Sequence, residues 1–183
     1  FDAMGATMAT YCGQNVGACR LDRLGQGVRS CSLLGLGYSI LGLGAMIFFA
    51  PQCSMLFLDP REAQLPLLVE LTTRYILIQS VFFFPLALVN IVRFSIQGMG
   101  YSPFAIVAGV LEMAARTGVG LFLVPAFGYT AACFASPAAW ICADLFLIPA
   151  CAGCIARLRR LYPNAPEAAL AAQPVPLKAG AHH

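Results

Sequence analysis

Three charged residues lie inside long apolar runs of this sequence, and their types and spacing are suited to chemistry. Glu112 and Arg116 are four residues apart, which places them on one face of a helix in the favourable acid-first order. Folding this run and the next into an antiparallel hairpin brings Asp144 within one helical turn of that pair. Each such residue costs about 2.5–3.5 kcal/mol in hydrocarbon on insertion scales. We therefore expect all three to face the interior of a helical bundle.

Two interpretations of these three residues remain open. They form either a buried ion network that holds two helices in register or a relay for protons or cations. We expect Glu112 and Arg116 to neutralise each other as a buried pair. Asp144 has no opposite charge within a turn of its own helix. It must therefore share Arg116, face a wet cavity or stay protonated.

No other pattern in the sequence indicates chemistry. The pairs Gly35-Leu-Gly37 and Gly42-Leu-Gly44 lack the third glycine of a dinucleotide fingerprint, and no strand-to-helix unit surrounds them. His182 and His183 have no third or fourth metal ligand nearby in sequence. We predict no catalytic residue, no cofactor and no metal site, and hence no enzyme.

The composition indicates which class of protein must position these residues. The chain has 183 residues, of which 60% are hydrophobic and only 10% charged. Soluble domains carry about 25% charged residues, and disordered chains have low hydrophobicity. The net charge of +3 is small and its cations are scattered, which excludes nucleic acid as a partner. A membrane protein whose partner is the lipid bilayer remains.

The uncharged runs locate the membrane spans. A helix needs about 20 apolar residues to cross the hydrocarbon core, and these runs are apolar on every face, which excludes a barrel. Residues 3–19 form a shorter run, interpreted as a helix whose beginning is missing, so that the chain is expected to be a fragment. The sequence predicts an all-α polytopic bundle over residues 1–160, with four full spans at 30–58, 75–92, 103–124 and about 129–155.

Basic residues predict the orientation. With alternating helices, two arginines, Arg61 and Arg74, fall on one side of the membrane. The opposite side is cytoplasmic because positive loops stay there. We expect a flexible tail rich in proline and alanine over residues 161–183 on the same cytoplasmic side. The chain is thus predicted to be a multi-pass protein of the cell membrane. The seven arginines predicted on the cytoplasmic side are Arg20, Arg23, Arg29, Arg93, Arg157, Arg159 and Arg160.

Small residues and prolines add predictions about packing. Residues recurring every four positions favour close helix approach in lipid, as in Gly5, Ala9, Gly13 and Gly17 of the first helix and Ala131, Ala135, Ala139 and Ala143 of the last. Prolines remove a helix hydrogen bond and predict interruptions, at Pro85, Pro137 and Pro149. The segment from Pro125 to Gly128 predicts the turn of the hairpin.

The segment that closes the first helix resembles a motif of the MATE family of multidrug and toxic compound extrusion transporters. The motif reads Gly-Gln-Asn-x-Gly-Ala, and its positions here are Gly13, Gln14, Asn15, Gly17 and Ala18. Later pieces keep the family's order. They are Arg93 with Gln97-Gly98-x-Gly100, then Glu112 and Arg116, then Gly128-Tyr129 and the segment from Pro137 to Trp140.

The resemblance implies most of one six-helix lobe of a twelve-helix transporter, whose N-terminal lobe would be a partner. It also implies a secondary antiporter that exports drugs, toxins and other cationic or amphipathic organic compounds in exchange for H⁺ or Na⁺. In many members of the family, acids on the first helix, or on the seventh and tenth, bind the coupling cation. The resemblance implies that the first and seventh helices are absent here, and the run 75–92, which corresponds to the tenth, contains no acid, so this site cannot be carried over. Two alternatives stay open, namely a lipid-linked saccharide flippase of related architecture and a non-transporting membrane subunit or truncated product.

Overall fold

A computed structural model of the chain describes residues 1–58 and 64–163. The regular structure in this part of the chain is helical throughout, as the sequence predicts. A π-helical segment at Val119–Leu123 follows the fifth helix. The α-helices are α1 (Asp2–Gly17), α2 (Asp22–Phe57), α3 (Leu65–Val81), α4 (Phe83–Gly98), α5 (Ser102–Gly118), α6 (Val124–Phe127), α7 (Tyr129–Cys133) and α8 (Ala135–Leu161).

In the described part of the chain, three helical stretches are long and apolar enough to cross a membrane. They are Asp22–Phe57, Ser102–Phe127 and Ala135–Leu161, and the pair of α3 and α4 makes a fourth if it is taken as one bent span. The 36 residues of α2 reach about 54 Å at 1.5 Å per residue, well beyond a hydrocarbon core of about 30 Å. With the shorter α1, these elements match the predicted count of four spans and part of a fifth.

The predicted span over 75–92 is not a single helix. It divides at Phe82, where α3 and α4 meet at an angle of 51°. Pro85 lies in the first turn of α4 and has no N–H to donate to the carbonyl of Val81. The predicted interruption at Pro85 is therefore seen, and it divides the run into two helices.

The other predicted helix breaks differ in detail. The chain stays helical through Pro125 and reverses at Gly128, whose φ of 59° and ψ of −140° are open essentially only to glycine. Pro137 lies in the first turn of α8, and Pro149 lies inside α8, which continues as one helix to Leu161. The break at Phe134 also leaves Ala131 on α7, apart from the rest of its predicted stripe.

The predicted stripe on α1 packs against α4. Gly5 faces the Phe94 ring and the Asn90 carbonyl, and a Cβ at Gly13 would lie 3.5 Å from the Gly98 carbonyl oxygen. Gly98 itself lies directly against the backbone of Ala9. Gly17 has no neighbour within 4 Å of an added Cβ. Close helix approach is therefore observed over the first three positions of the stripe.

Gly98→Ala is expected to destabilise the chain, because the new methyl group would overlap the Ala9 carbonyl and push α1 away from α4. Overpacking of this kind costs about 1–3 kcal/mol. Gly109→Ala is the matched control, since nothing lies within 4 Å of a Cβ there. Thermal unfolding in detergent should show a lower midpoint for Gly98→Ala alone. Equal midpoints for the two variants would contradict the close approach.

Different contacts hold the two ends of the described bundle together. The ends of α1 and α4 meet through Gly13 and Gly98, and the Arg157 guanidinium lies 5.8 Å from the centre of the Tyr101 ring just after α4. At the other end, α3 is tied to α7 by hydrogen bonds from Arg74 to Thr130 and from Tyr129 to the Leu71 carbonyl. Arg61 and the predicted tail beyond residue 163 lie outside the described residues.

Candidate functional site

A cluster of four charged side chains lies between α4, α5 and α8. Glu112 and Asp144 are buried, with only 9% and 7% of their surface exposed. Glu112 is the eleventh residue of the span that begins at Ser102, and Asp144 is the tenth of α8. Both carboxyl groups are therefore near the middle of their spans. The bundle interior, and not lipid, surrounds them as the cost of charge in hydrocarbon requires.

The main partner of Glu112 is Arg93 of α4. The Arg93 Nη2 donates to Glu112 Oε1, whereas the Arg116 Nη2 lies 3.5 Å from Glu112 Oε2. Only 24% of the Arg93 side chain is exposed, against 47% of Arg116. The expected contact between Arg116 and Glu112 is therefore present, but Arg116 is half exposed, and Arg93 is the more buried of the two arginines that contact this carboxylate. Arg116 lies at the rim of the cluster because it is one turn further along α5, on a helix with few buried positions.

Arg93 also corrects the predicted distribution of arginines. The basic-residue pattern of the sequence predicts it on one side of the membrane together with six other arginines. In the structure it points into the bundle and contacts Glu112, so it does not belong to the charged loops. Its place in the sequence contained the signal, since Arg93 precedes the end of α4 at Gly98 by more than one helical turn.

Asp144 has an unsatisfied carboxyl oxygen. Its Oδ1 is buried and makes no hydrogen bond in the described structure, and the same holds for Arg93 Nε. Arg93 is the cation whose charge acts on Asp144. Buried polar atoms without partners are rare in native proteins, and each one asks for an explanation. The Arg93 Nε donor and the Asp144 Oδ1 acceptor therefore both lack a hydrogen-bond partner in the described structure, whereas Nη2 of the same arginine donates to Glu112.

The cluster is electrically balanced when all four groups are charged. Arg93 and Arg116 offset Glu112 and Asp144, so the formal net charge is zero. Protonation of Asp144 would leave a net charge of +1 beside Arg93. Such a site can exchange one proton without exposing an uncompensated buried anion, which is the property that a relay needs. It also links three helices, as a structural network would.

The motif at the end of α1 has a clear local geometry. Asn15 Nδ2 donates to the Tyr11 carbonyl at 2.8 Å, and the Asn15 carbonyl accepts the backbone N–H of Arg20 at 2.8 Å. Ala18 is the C-terminal cap of α1, and Cys19 follows it with a left-handed φ of 55°. These contacts make a Schellman-type helix ending. Among the motif residues, Asn15 and Ala18 therefore form the ending of α1, and Gly13 lies against Gly98 of α4.

The sequence predicts no metal site at His182 and His183, and both residues lie outside the described part of the chain. Within residues 1–58 and 64–163, no group of three or more His, Cys, Asp or Glu side chains is arranged to hold a metal ion. All eight cysteines are free thiols there.

Comparison with known proteins gives one match. A family model described as MatE matches residues 2–123, which is more than half of the chain. The matched segment includes the α1 motif and three members of the charge cluster, Arg93, Glu112 and Arg116, while Asp144 lies beyond it. No curated protein and no solved structure matches the sequence.

Proposed function

The chain belongs to the MatE family of membrane efflux transporters and flippases, and from that premise we propose that it is part of a secondary active antiporter. The transporter exports cationic or amphipathic organic compounds, drugs and toxins among them, in exchange for H⁺ or Na⁺. Its substrates bind with the help of an N-terminal lobe that completes the cavity, since alternating access needs two repeats around a midplane site.

The observation that carries this proposal is the carboxyl group of Asp144. It is buried near the middle of α8, and one of its oxygens has no hydrogen-bond partner in the described structure. The charge that acts on it is that of Arg93. Ionisable residues at membrane depth are expensive and mark ion pathways. A static network would satisfy both carboxylates of the cluster, whereas this cluster satisfies Glu112 and leaves Asp144 available for an ion.

The charge balance of the cluster favours an exporter of cations over a flippase for lipid-linked saccharides. A flippase for an anionic lipid needs positive charge that remains unpaired in its cavity. Arg93 is engaged by Glu112, and Arg116 lies 3.5 Å from the same carboxylate. The described cluster therefore offers no spare cation to a phosphate group while Asp144 is ionised.

Efflux from cells that express the complete transporter tests the proposal. A fluorescent organic cation should leave the cells faster when an inward H⁺ or Na⁺ gradient is imposed, and the two gradients applied separately identify the coupling ion. Collapse of the gradient should stop export, because the ion supplies the driving force. Export that continues unchanged without either gradient would contradict the antiporter.

We propose that the protein lies in the cell membrane with its C-terminus in the cytoplasm. Support comes from the basic end of the bundle, where the end of α1 and the end of α8 bring together Arg20, Arg23, Arg157, Arg159 and Arg160. Positive residues are retained on the cytoplasmic side. A fluorescent reporter fused after His183 should be active, whereas a phosphatase that needs export should be inactive there. An active phosphatase at this position would contradict the proposed topology.

A further inference from the structure

A small cavity lies at the basic end of the bundle, between the start of α5 and the last turns of α8. Its volume is about 270 Å³. The residues that line it include one cation and no acid, and they are Tyr101, Phe104, Ala150, Gly153, Cys154 and Arg157. This composition differs from that of the Glu112 cluster, where each charge has an opposite charge nearby.

Two aromatic rings line this cavity, and a third packs behind them. The Tyr101 and Phe104 ring centres are 6.3 Å apart, and Phe104 is 6.3 Å from Phe146 of α8. Nothing in residues 1–58 and 64–163 lies within 4 Å of a Cβ added at Gly153, so the described part of α8 leaves open space on this side. Phe104 is exposed on α5, so the cavity opens at the surface of the described bundle.

Arg157 is held at the mouth of the cavity. Its guanidinium lies 5.8 Å from the Tyr101 ring centre, and among the described residues no carboxylate pairs with it. It precedes the end of α8 at Leu161 by four residues, or about 6 Å of helix. Arg159 and Arg160 follow in the last turn of α8. A guanidinium at this depth lies at the level of lipid head groups and has donors free for a phosphate.

We propose that this cavity binds an anionic phospholipid from the adjacent leaflet. The lipid phosphate binds Arg157, and an acyl chain lies along Phe104 into the space that Gly153 leaves open. Basic pockets between membrane helices are suited to acidic head groups. The inference stands on the cavity itself and is independent of which compounds the transporter exports.

The test uses the purified, delipidated chain in detergent and native mass spectrometry. Phosphatidylglycerol and phosphatidylcholine with identical acyl chains are titrated separately, and the bound lipid is counted. One phosphatidylglycerol should bind in preference to phosphatidylcholine. Arg157→Gln should weaken its binding about fivefold, the factor expected for one interfacial cation. Gly153→Leu should weaken binding of both lipids, because the leucine side chain fills the open space.

Two controls keep the test decisive. Arg23→Gln removes an exposed arginine from the same end of the bundle but not from the cavity, and it should leave phosphatidylglycerol binding unchanged. Excess glycerol phosphate should fail to displace the lipid, since it lacks an acyl chain. Equal weakening by Arg23→Gln and Arg157→Gln, unchanged binding in Arg157→Gln, or displacement by glycerol phosphate would each overturn the site. Circular dichroism on every variant confirms that the helices are formed.

Discussion

Replacing Arg93 by glutamine is expected to lower the free energy of unfolding by about 3–5 kcal/mol, the usual cost of removing one partner of a buried ion pair. Arg93 holds Glu112 from across the interface of α4 and α5, and Glu112 is nearly inaccessible to water. Without Arg93, the carboxylate keeps only the longer contact to Arg116. Titration of mixed micelles with sodium dodecyl sulfate measures this loss.

The matched control is Arg116→Gln, which removes the other arginine beside the same carboxylate. Nearly half of the Arg116 side chain is exposed, so its loss should cost no more than about 1 kcal/mol. The double variant Arg93→Met with Glu112→Met should recover part of the stability, because no unpaired charge remains in the pair. Equal losses for Arg93→Gln and Arg116→Gln would contradict the assignment of Arg93 as the main partner.

Of the two arginine contacts to Glu112, the sequence predicted one and not the other. Glu112 and Arg116 are four residues apart, and that local rule predicted the contact which the structure has at 3.5 Å. The more buried contact joins Glu112 to Arg93, nineteen positions away. It depends on how α4 is rotated against α5, which no local spacing specifies.

Elements with a strong local signal were predicted well. Uncharged runs identified α2, α5 and α8 because a bilayer demands about 20 apolar residues for each span. Pro85 gave a reason for the bend at Phe82, and the small residues of α1 anticipated its approach to another helix. The sequence did not identify α4 as that helix. The missing information lies in Gly98, whose value is evident only when the Ala9 backbone is seen against it.

Replacing Asp144 by asparagine is expected to abolish or strongly alter ion-coupled export while leaving the fold intact. Asparagine has nearly the same shape, and the Asp144 Oδ1 that it would alter makes no hydrogen bond in the described structure. Folding therefore loses little, whereas the site loses the one carboxyl group of the cluster that no described arginine contacts directly, and with it a group that can bind and release a proton. Cys142→Ala is the matched control, since Cys142 is exposed on the same helix two residues away.

A purely structural network predicts the opposite pattern for Asp144→Asn. If the carboxylate serves only to hold α8 against α4, the variant should unfold at a lower temperature, and each folded molecule should still transport normally. Arg93 would then lose its favourable interaction with the Asp144 carboxylate, but the coupling of export to the ion gradient would not change. The two accounts therefore differ in which quantity changes, and both quantities can be measured on one sample.

The most direct test of the ion-relay account measures thermal stability and gradient-driven efflux on the same preparation of the complete transporter carrying Asp144→Asn. Stability is recorded in detergent, and efflux is recorded after reconstitution into liposomes with an imposed H⁺ or Na⁺ gradient. The relay predicts an unfolding temperature close to that of the unaltered protein together with lost or altered coupled efflux. Normal coupled efflux by the variant would contradict it and remove Asp144 from the mechanism.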